Sequence, residues 1–356
     1  MPAHGKVRHI FFIMRNFPLH VRGVLCAALL FASWATGAAD PLTRTEFVLW
    51  TQCSVTLFDH TDPAILDGVF QRLHELDAHL SVNQAGSELD AVSDAAGRSP
   101  IRVGEEVFRV ITRGLSMADI SGGLFDPTIG PLMKVWKMNS EAARVPPAAD
   151  LAGARSLVNW RDVVMDTAAR TIYLRRPGMR LDAGGLLKGY AGEEVVRILT
   201  ARGVRSAMVD LGGNICAVGS RADGTPWRIG IQDPDAPRGT SLGVVKVVGK
   251  SVVTSGIYEH YFVQNGKKYH HIMDPRTGYP VDNGLTQVTV ISDSSFDADS
   301  YDTTLLILGP VDGLALAARL GLDVIMVDTD HRLYGTDEAR RTLQLSDPSF
   351  SWATPR

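Results

Sequence analysis

The chain has 356 residues, 45% of them hydrophobic and 21% charged, a balance that suits one large or two ordinary globular domains and excludes a disordered or collagen-like chain. The formal charge is -3. The first 39 residues hold Lys6, Arg8, Arg15 and Arg22 and no acid, so setting aside those four of the 36 basic residues leaves 32 against 39 acidic ones. So acidic a remainder argues against nucleic acid as a partner.

Residues 1–39 read as a secretory signal. Arg15 and Arg22 precede the apolar run 23–34, and the small residues Ala35, Gly37, Ala38 and Ala39 follow, the order of n-region, h-region and cleavage site. The run is shorter than the about 20 residues that span a bilayer, and no later segment is expected to reach that length. Cys26 lacks the small residue that a lipoprotein signal places before its cysteine, so no lipid anchor is expected. The reading is therefore export to the periplasm, with a domain over 40–345 and a C-terminal tail over 346–356. The exported part keeps Cys53 and Cys216. They form one disulfide or remain two buried thiols, and both readings stay open.

Residues 46–50 and 54–57 predict paired strands. Ile65, Leu66, Val69, Phe70, Leu73, Leu76 and Leu80 recur at helical spacing over 63–80, and a second amphipathic helix is predicted over 105–120. Ser121-Gly122-Gly123-Leu124-Phe125-Asp126-Pro127-Thr128-Ile129-Gly130-Pro131-Leu132 is dense in Gly and Pro and reads locally as a connector. Two short strands, VVMD and TIYL, lead to Asp182-Ala183-Gly184-Gly185-Leu186-Leu187-Lys188-Gly189, which opens a helix to about residue 199. Glycines and a lysine at a helix start form a plausible phosphate cradle, because the first N–H groups of a helix lack partners. The P-loop spacing is absent.

Strands are predicted over 206–211, 215–218, 227–232, 242–248, 252–256 and 258–263. The turn Asn265-Gly266 then leads into His270-His271-Ile272-Met273-Asp274-Pro275-Arg276-Thr277-Gly278-Tyr279-Pro280. Two histidines, a carboxylate and an arginine are held there in a loop stiffened by Asp-Pro, Thr-Gly and Tyr-Pro. A strand over 286–291 precedes a helix predicted from Asp297 to the Gly309-Pro310 stop. Asp299, Asp302 and Thr303 share one face of that helix. They are hard oxygen ligands suited to Mg²⁺, or alternatively an exposed first turn favoured by the helix dipole. A helix over 314–320 and a strand over 324–327 close the pattern.

Ser87-Glu88-Leu89, the segment 121–132, the glycine segment 182–191, Asp210-Leu211-Gly212-Gly213-Asn214, Thr254-Ser255-Gly256, His271 to Gly278, and Ala298-Asp299 with Thr303 together resemble the motifs of the ApbE family of FAD:protein FMN transferases, in that family's order. The resemblance implies an α+β fold with two sheet-containing lobes and an FAD cleft between them. It also implies Mg²⁺-dependent transfer of FMN from FAD to a Thr or Ser hydroxyl of an acceptor protein, with release of AMP. A subunit of a membrane redox complex is the expected acceptor.

By position, the resemblance implies Asp299, Thr303 and the carbonyl of Gly185 as Mg²⁺ ligands and His271 and Asp274 as catalytic residues. Ser87, Asp126, Gly184, Lys188, Gly213, Thr254, Ser255, Gly256 and His271 are implied as flavin-binding. A flavin-binding protein or an FAD pyrophosphatase that gives FMN and AMP is the alternative reading of the same pocket. Asn83 stands where members usually carry an aromatic residue, and Asp302 adds a carboxylate between the two side-chain metal ligands.

Overall fold

The structure, a computed structural model, describes residues 40–81, 86–138 and 140–355. The signal segment and Asn83 lie outside these residues. In chain order the elements are β1 (Leu42–Val48), β2 (Thr51–Leu57), α1 (Pro63–Leu80), α2 (Glu88–Asp94), β3 (Ile101–Arg102), α3 (Glu105–Ile120), α4 (Gly130–Trp136) and α5 (Ala148–Ser156). They continue with β4 (Val163–Asp166), β5 (Thr171–Leu174), α6 (Gly184–Ala201), β6 (Ser206–Leu211), β7 (Asn214–Gly219), β8 (Trp227–Gln232), β9 (Ser241–Val247) and β10 (Ser251–Gly256). The last are β11 (Tyr261–Gln264), β12 (Lys267–His270), β13 (Leu285–Ser292), α7 (Ser295–Leu320), β14 (Asp323–Asp328), β15 (Arg332–Gly335), α8 (Asp337–Thr342), β16 (Gln344–Leu345) and β17 (Ser351–Trp352).

One nine-stranded sheet in the order β1-β2-β6-β7-β10-β13-β14-β15-β17 dominates, beside three small sheets. The α+β class is the expected one. Both faces of the large sheet are covered, which explains why β13 and β14 are buried along nearly their whole length instead of on alternate residues. Val253, Val288, Val290, Val324 and Met326 enter the core built with α1, α3, α6 and α7. Their strand neighbours Val252, Ile291, Ile325 and Val327 enter a second core with β8 and β9. A third cluster joins Leu132, Trp136, Leu151 and Met273 beneath the histidine loop.

Helix α1 has the predicted limits, since Asp62 accepts from the Ala64 N–H at 3.0 Å and Pro63 occupies the first turn, where its missing N–H costs nothing. Helix α7 starts two residues before the expected Asp297. Gly309 (φ 79°, ψ 179°) is non-helical and breaks it into two helical stretches, so the expected stop at Gly309-Pro310 is present and a second stretch runs on to Leu320. The length and hydropathy of α7 would suit a membrane span, but it packs on α6, β10 and β13 and buries Asp299 and Asp302 within that packing. The expected C-terminal tail is also part of the fold. Phe350 is buried and β17 pairs in parallel with β15, because Phe350 and Trp352 pack into the second core.

The two-residue turn between Val48 and Thr51 has positive φ at both Leu49 (56°) and Trp50 (59°). Such a turn ordinarily takes Asn-Gly, and each non-glycine residue in the left-handed region costs about 1–2 kcal/mol. Cys53 and Cys216 are both free and buried. Burial pushes the Cys53 thiol up to about 12.

Candidate active site

A cleft of about 840 Å³ opens where α6, α7, β10 and the histidine loop meet the β1–β2 turn. Its polar end is assembled by close helix packing. A Cβ on Gly189 would stand 2.4 Å from Asp299 Cβ and 2.6 Å from the Ser295 carbonyl oxygen, so only glycine lets α6 and α7 approach this far. The approach allows the Gly189 N–H to donate to Asp299 Oδ2 at 2.8 Å. In an uninterrupted helix that N–H would point at the Gly185 carbonyl, and Gly185 departs from helical angles (φ -83°, ψ 15°). A Cβ on Gly185 would lie 3.7 Å from Thr303 Oγ1. Glycine segment and α7 acids therefore converge at one point.

Asn214 completes this end. Its Nδ2 donates to Asp299 Oδ1 at 2.8 Å, and its Oδ1 accepts from Lys188 Nζ at 3.0 Å. The amide thus aims an ammonium at the cleft while holding the carboxylate still. Ser255 Oγ and Thr303 Oγ1 are 3.2 Å apart, and Thr254 Oγ1 is tied to Thr289 Oγ1 at 2.8 Å. Asp302 Oδ1 receives the Thr303 N–H, while its Oδ2 is buried with no hydrogen-bond partner among the described residues. Burial, and then the neighbouring Asp299 carboxylate, push the Asp302 carboxyl well above the ordinary carboxylate range.

These groups fit a hard divalent cation. Asp299, Thr303 and Gly185 line the cleft together, and Asp302, next to Thr303, keeps a buried carboxylate oxygen with no partner among the described residues. Among the described residues no three His, Cys, Asp or Glu side chains form a metal cage. Mg²⁺ does not need one, since it is commonly held by one or two carboxylates together with substrate phosphates.

The two histidines have separate jobs. His271 lines the cleft, with Nδ1 at 3.3 Å from the His260 carbonyl oxygen. A carbonyl only accepts, so Nδ1 carries the proton and Nε2 is left as the basic nitrogen. Burial, then the nearby His260, His270 and Lys188, push the imidazole down to about 3, so it is neutral at pH 7. His270 is buried with both nitrogens used: Nε2 donates to the Val281 carbonyl at 2.9 Å, and Nδ1 accepts from the Ile272 N–H at 3.3 Å. It buttresses the loop.

Asp126, Gly184, Gly185, Lys188, Thr254, Ser255, Gly256, His271, Asp299 and Thr303 all line the cleft. Three expected residues do not. Asp274 holds Arg276 through both carboxylate oxygens and organises the turn to Tyr279. Ser87 caps α2, its hydroxyl accepting from the Asp90 N–H. Gly213 turns its backbone to Asp210, and it is Gly212 that reaches the cleft. Asp126 lines the cleft, yet its carboxylate is committed to the N–H and hydroxyl of Thr128 and the N–H of Trp160. Asn214 and His260 were missed as individual site residues. Asn214 ends a motif that the sequence displays, whereas nothing local marks His260.

The ApbE family model matches residues 49–326. The FAD:protein FMN transferase of Klebsiella pneumoniae (strain 342) is 39% identical over 272 residues, 76% of this chain and 84% of that protein. The FAD:protein FMN transferase of Treponema pallidum (strain Nichols) is 35% identical over 309 residues, 82% of this chain and 85% of that protein. Among solved structures, the ApbE protein of Thermotoga maritima MSB8 superposes with TM-score 0.79 at 25% identity, over 85% of this chain and 99% of that one. The apo flavinyl transferase ApbE of Pseudomonas stutzeri gives 0.75 at 30% identity, over 85% and 96%.

Proposed function

This chain belongs to the ApbE family, and from that premise and the geometry of the cleft we infer that it is an FAD:protein FMN transferase. The observation that carries the chemistry is the chain of contacts from Lys188 through Asn214 to Asp299, with the Gly189 N–H closing it. It sets a cation, a helix start and a fixed carboxylate around one spot, which is what a diphosphate needs on transfer.

The reaction is attack of an acceptor Thr or Ser hydroxyl on the flavin-side phosphorus of FAD, forming a phosphoester to FMN and breaking the pyrophosphate bond to release AMP. Lys188 takes up charge on the phosphate oxygens and, with the backbone of Gly184 and Gly185, orients them in line. His271 Nε2 accepts the hydroxyl proton. The imidazole is neutral at pH 7, so the Nε2 lone pair is free to take that proton. Mg²⁺ would be held by Asp299, Thr303 and the Gly185 carbonyl, with Asp302 beside them, and would supply charge neutralisation to the diphosphate.

The charged and apolar order of residues 1–39 supports placing the reaction outside the cytoplasm, with the acceptor a subunit of a membrane redox complex. The test is incubation of the protein with FAD, Mg²⁺ and a Thr-bearing acceptor, followed by mass spectrometry of the acceptor. A covalent FMN adduct is expected, absent with Asp299→Ala. Release of free FMN with unmodified acceptor would show an FAD pyrophosphatase instead.

A further inference from the structure

The β1–β2 turn contradicts the preference of its own geometry. Both central residues are left-handed, and both carry large side chains. Leu49 is explained by the core in which it is buried. Trp50 has no such explanation. Its side chain is 49% exposed, and among the described residues it makes no ring pair, cation contact or hydrogen bond. It does line the cleft, as do two other exposed aromatic residues, Phe47 at 73% and Tyr261 at 49%.

Position and chemistry explain what the turn preserves. Thr51, next to Trp50, packs so closely on Gly212 that a Cβ there would stand 2.1 Å from Thr51 Oγ1. Gly212 belongs to the turn that presents Asn214 and, through it, Lys188. The indole therefore stands on the wall that adjoins the phosphate end of the cleft. A molecule with a diphosphate there and planar rings attached on either side brings a ring within reach of that wall. Strained backbone at a cleft is retained where the side chain it aims has work to do.

We propose that Trp50 is the stacking face for a planar ring of bound FAD, an inference that rests on the reading of this cleft as the FAD site. Stacking is made alike in the ground and transition states, so it acts on affinity and leaves the chemical step alone. The turn also makes a further prediction. Trp50→Gly relieves the left-handed strain, so it raises the melting temperature while it weakens flavin binding.

The test is titration of FAD fluorescence against the parent, Trp50→Phe, Trp50→Ala and Trp50→Gly, with melting temperature, and with KM and kcat for transfer. Trp50→Ala and Trp50→Gly are expected to weaken FAD binding about five- to tenfold at unchanged kcat, with Trp50→Phe near the parent. Parallel titrations with FMN and with ADP identify the ring: a loss for FMN assigns the isoalloxazine, and a loss for ADP assigns the adenine. Equal FAD affinity across the four proteins, or a change confined to the KM for the acceptor, would overturn the proposal while leaving the transferase reading intact. A parent that binds no flavin would overturn both.

Discussion

Asn214 donates its amide to Asp299 at 2.8 Å across 85 positions of sequence. That one bond decides which way the amide faces. Because Asp299 can only accept, the Asn214 oxygen is turned to Lys188, and an uncharged side chain connects a cation to an anion without letting them neutralise each other directly.

Asn214→Ala should therefore do two things at once. A buried acceptor and an ammonium lose their partner, at a cost of about 1–3 kcal/mol to stability. Transfer should fall about 10²-fold, the scale on which small misplacements act. Urea unfolding and initial rates at saturating FAD measure the two effects. An unchanged rate would mean that Lys188 needs no guide.

The histidine pair separates chemistry from support. His271→Ala should lower kcat by about 10²–10⁴-fold with stability nearly kept, as for loss of a general base. His270→Ala should instead lower the unfolding midpoint, because it strands the Val281 carbonyl and the Ile272 N–H. Should His270→Ala stop turnover at full stability while His271→Ala is active, the loop register would be wrong.

Stability should decline on mild acidification. His260, His270 and His271 are all held below the ordinary 6.5, His271 at about 3, chiefly by burial. Between those values the unfolded chain binds more protons, so the contribution is complete above about pH 6.5 and is lost as the pH falls. Unfolding midpoints at pH 7.5, 6 and 5 should drop in that order. The slope should be shallower in His270→Gln, and an equal slope would remove His270 from the account.

Gly189→Ala should be disproportionately harmful for one methyl group. The methyl meets Asp299 Cβ and the Ser295 backbone oxygen, neither of which can swing away. Overpacking of this kind costs about 1–3 kcal/mol, and it pushes the Gly189 N–H away from Asp299. Calorimetry and a transfer assay should show both losses. A stable and active variant would mean that the helices separate freely.

Much of this was legible in the residues. Apolar spacing marked α1 and α3 at their true limits, and at α1 cap, proline and stripe all agree. That Asp299, Asp302 and Thr303 share one stretch of helix was visible from their spacing. What was hidden is how neighbouring groups are used. Arg276, two residues on, takes up the Asp274 carboxylate, and the Ser87 hydroxyl is spent on the Asp90 N–H three residues on, so neither group is left for a ligand. Gly309 reads as a helix stop, and its non-helical backbone does break α7 there. Trp50 in a left-handed turn is the reverse case, since propensity argues against the turn and strand pairing imposes it.

The two buried thiols also make the chain a reporter of its own integrity. Cys53 and Cys216 lie on β2 and β7, the strands that flank β6, and burial keeps both in the unreactive thiol form. An alkylating reagent can reach either only when the centre of the sheet comes apart. Labelling rates in non-denaturing buffer would then count global openings rather than loop motion, and saturating FAD should slow them in proportion to its hold on the folded state. Such a measurement requires no acceptor protein and no turnover.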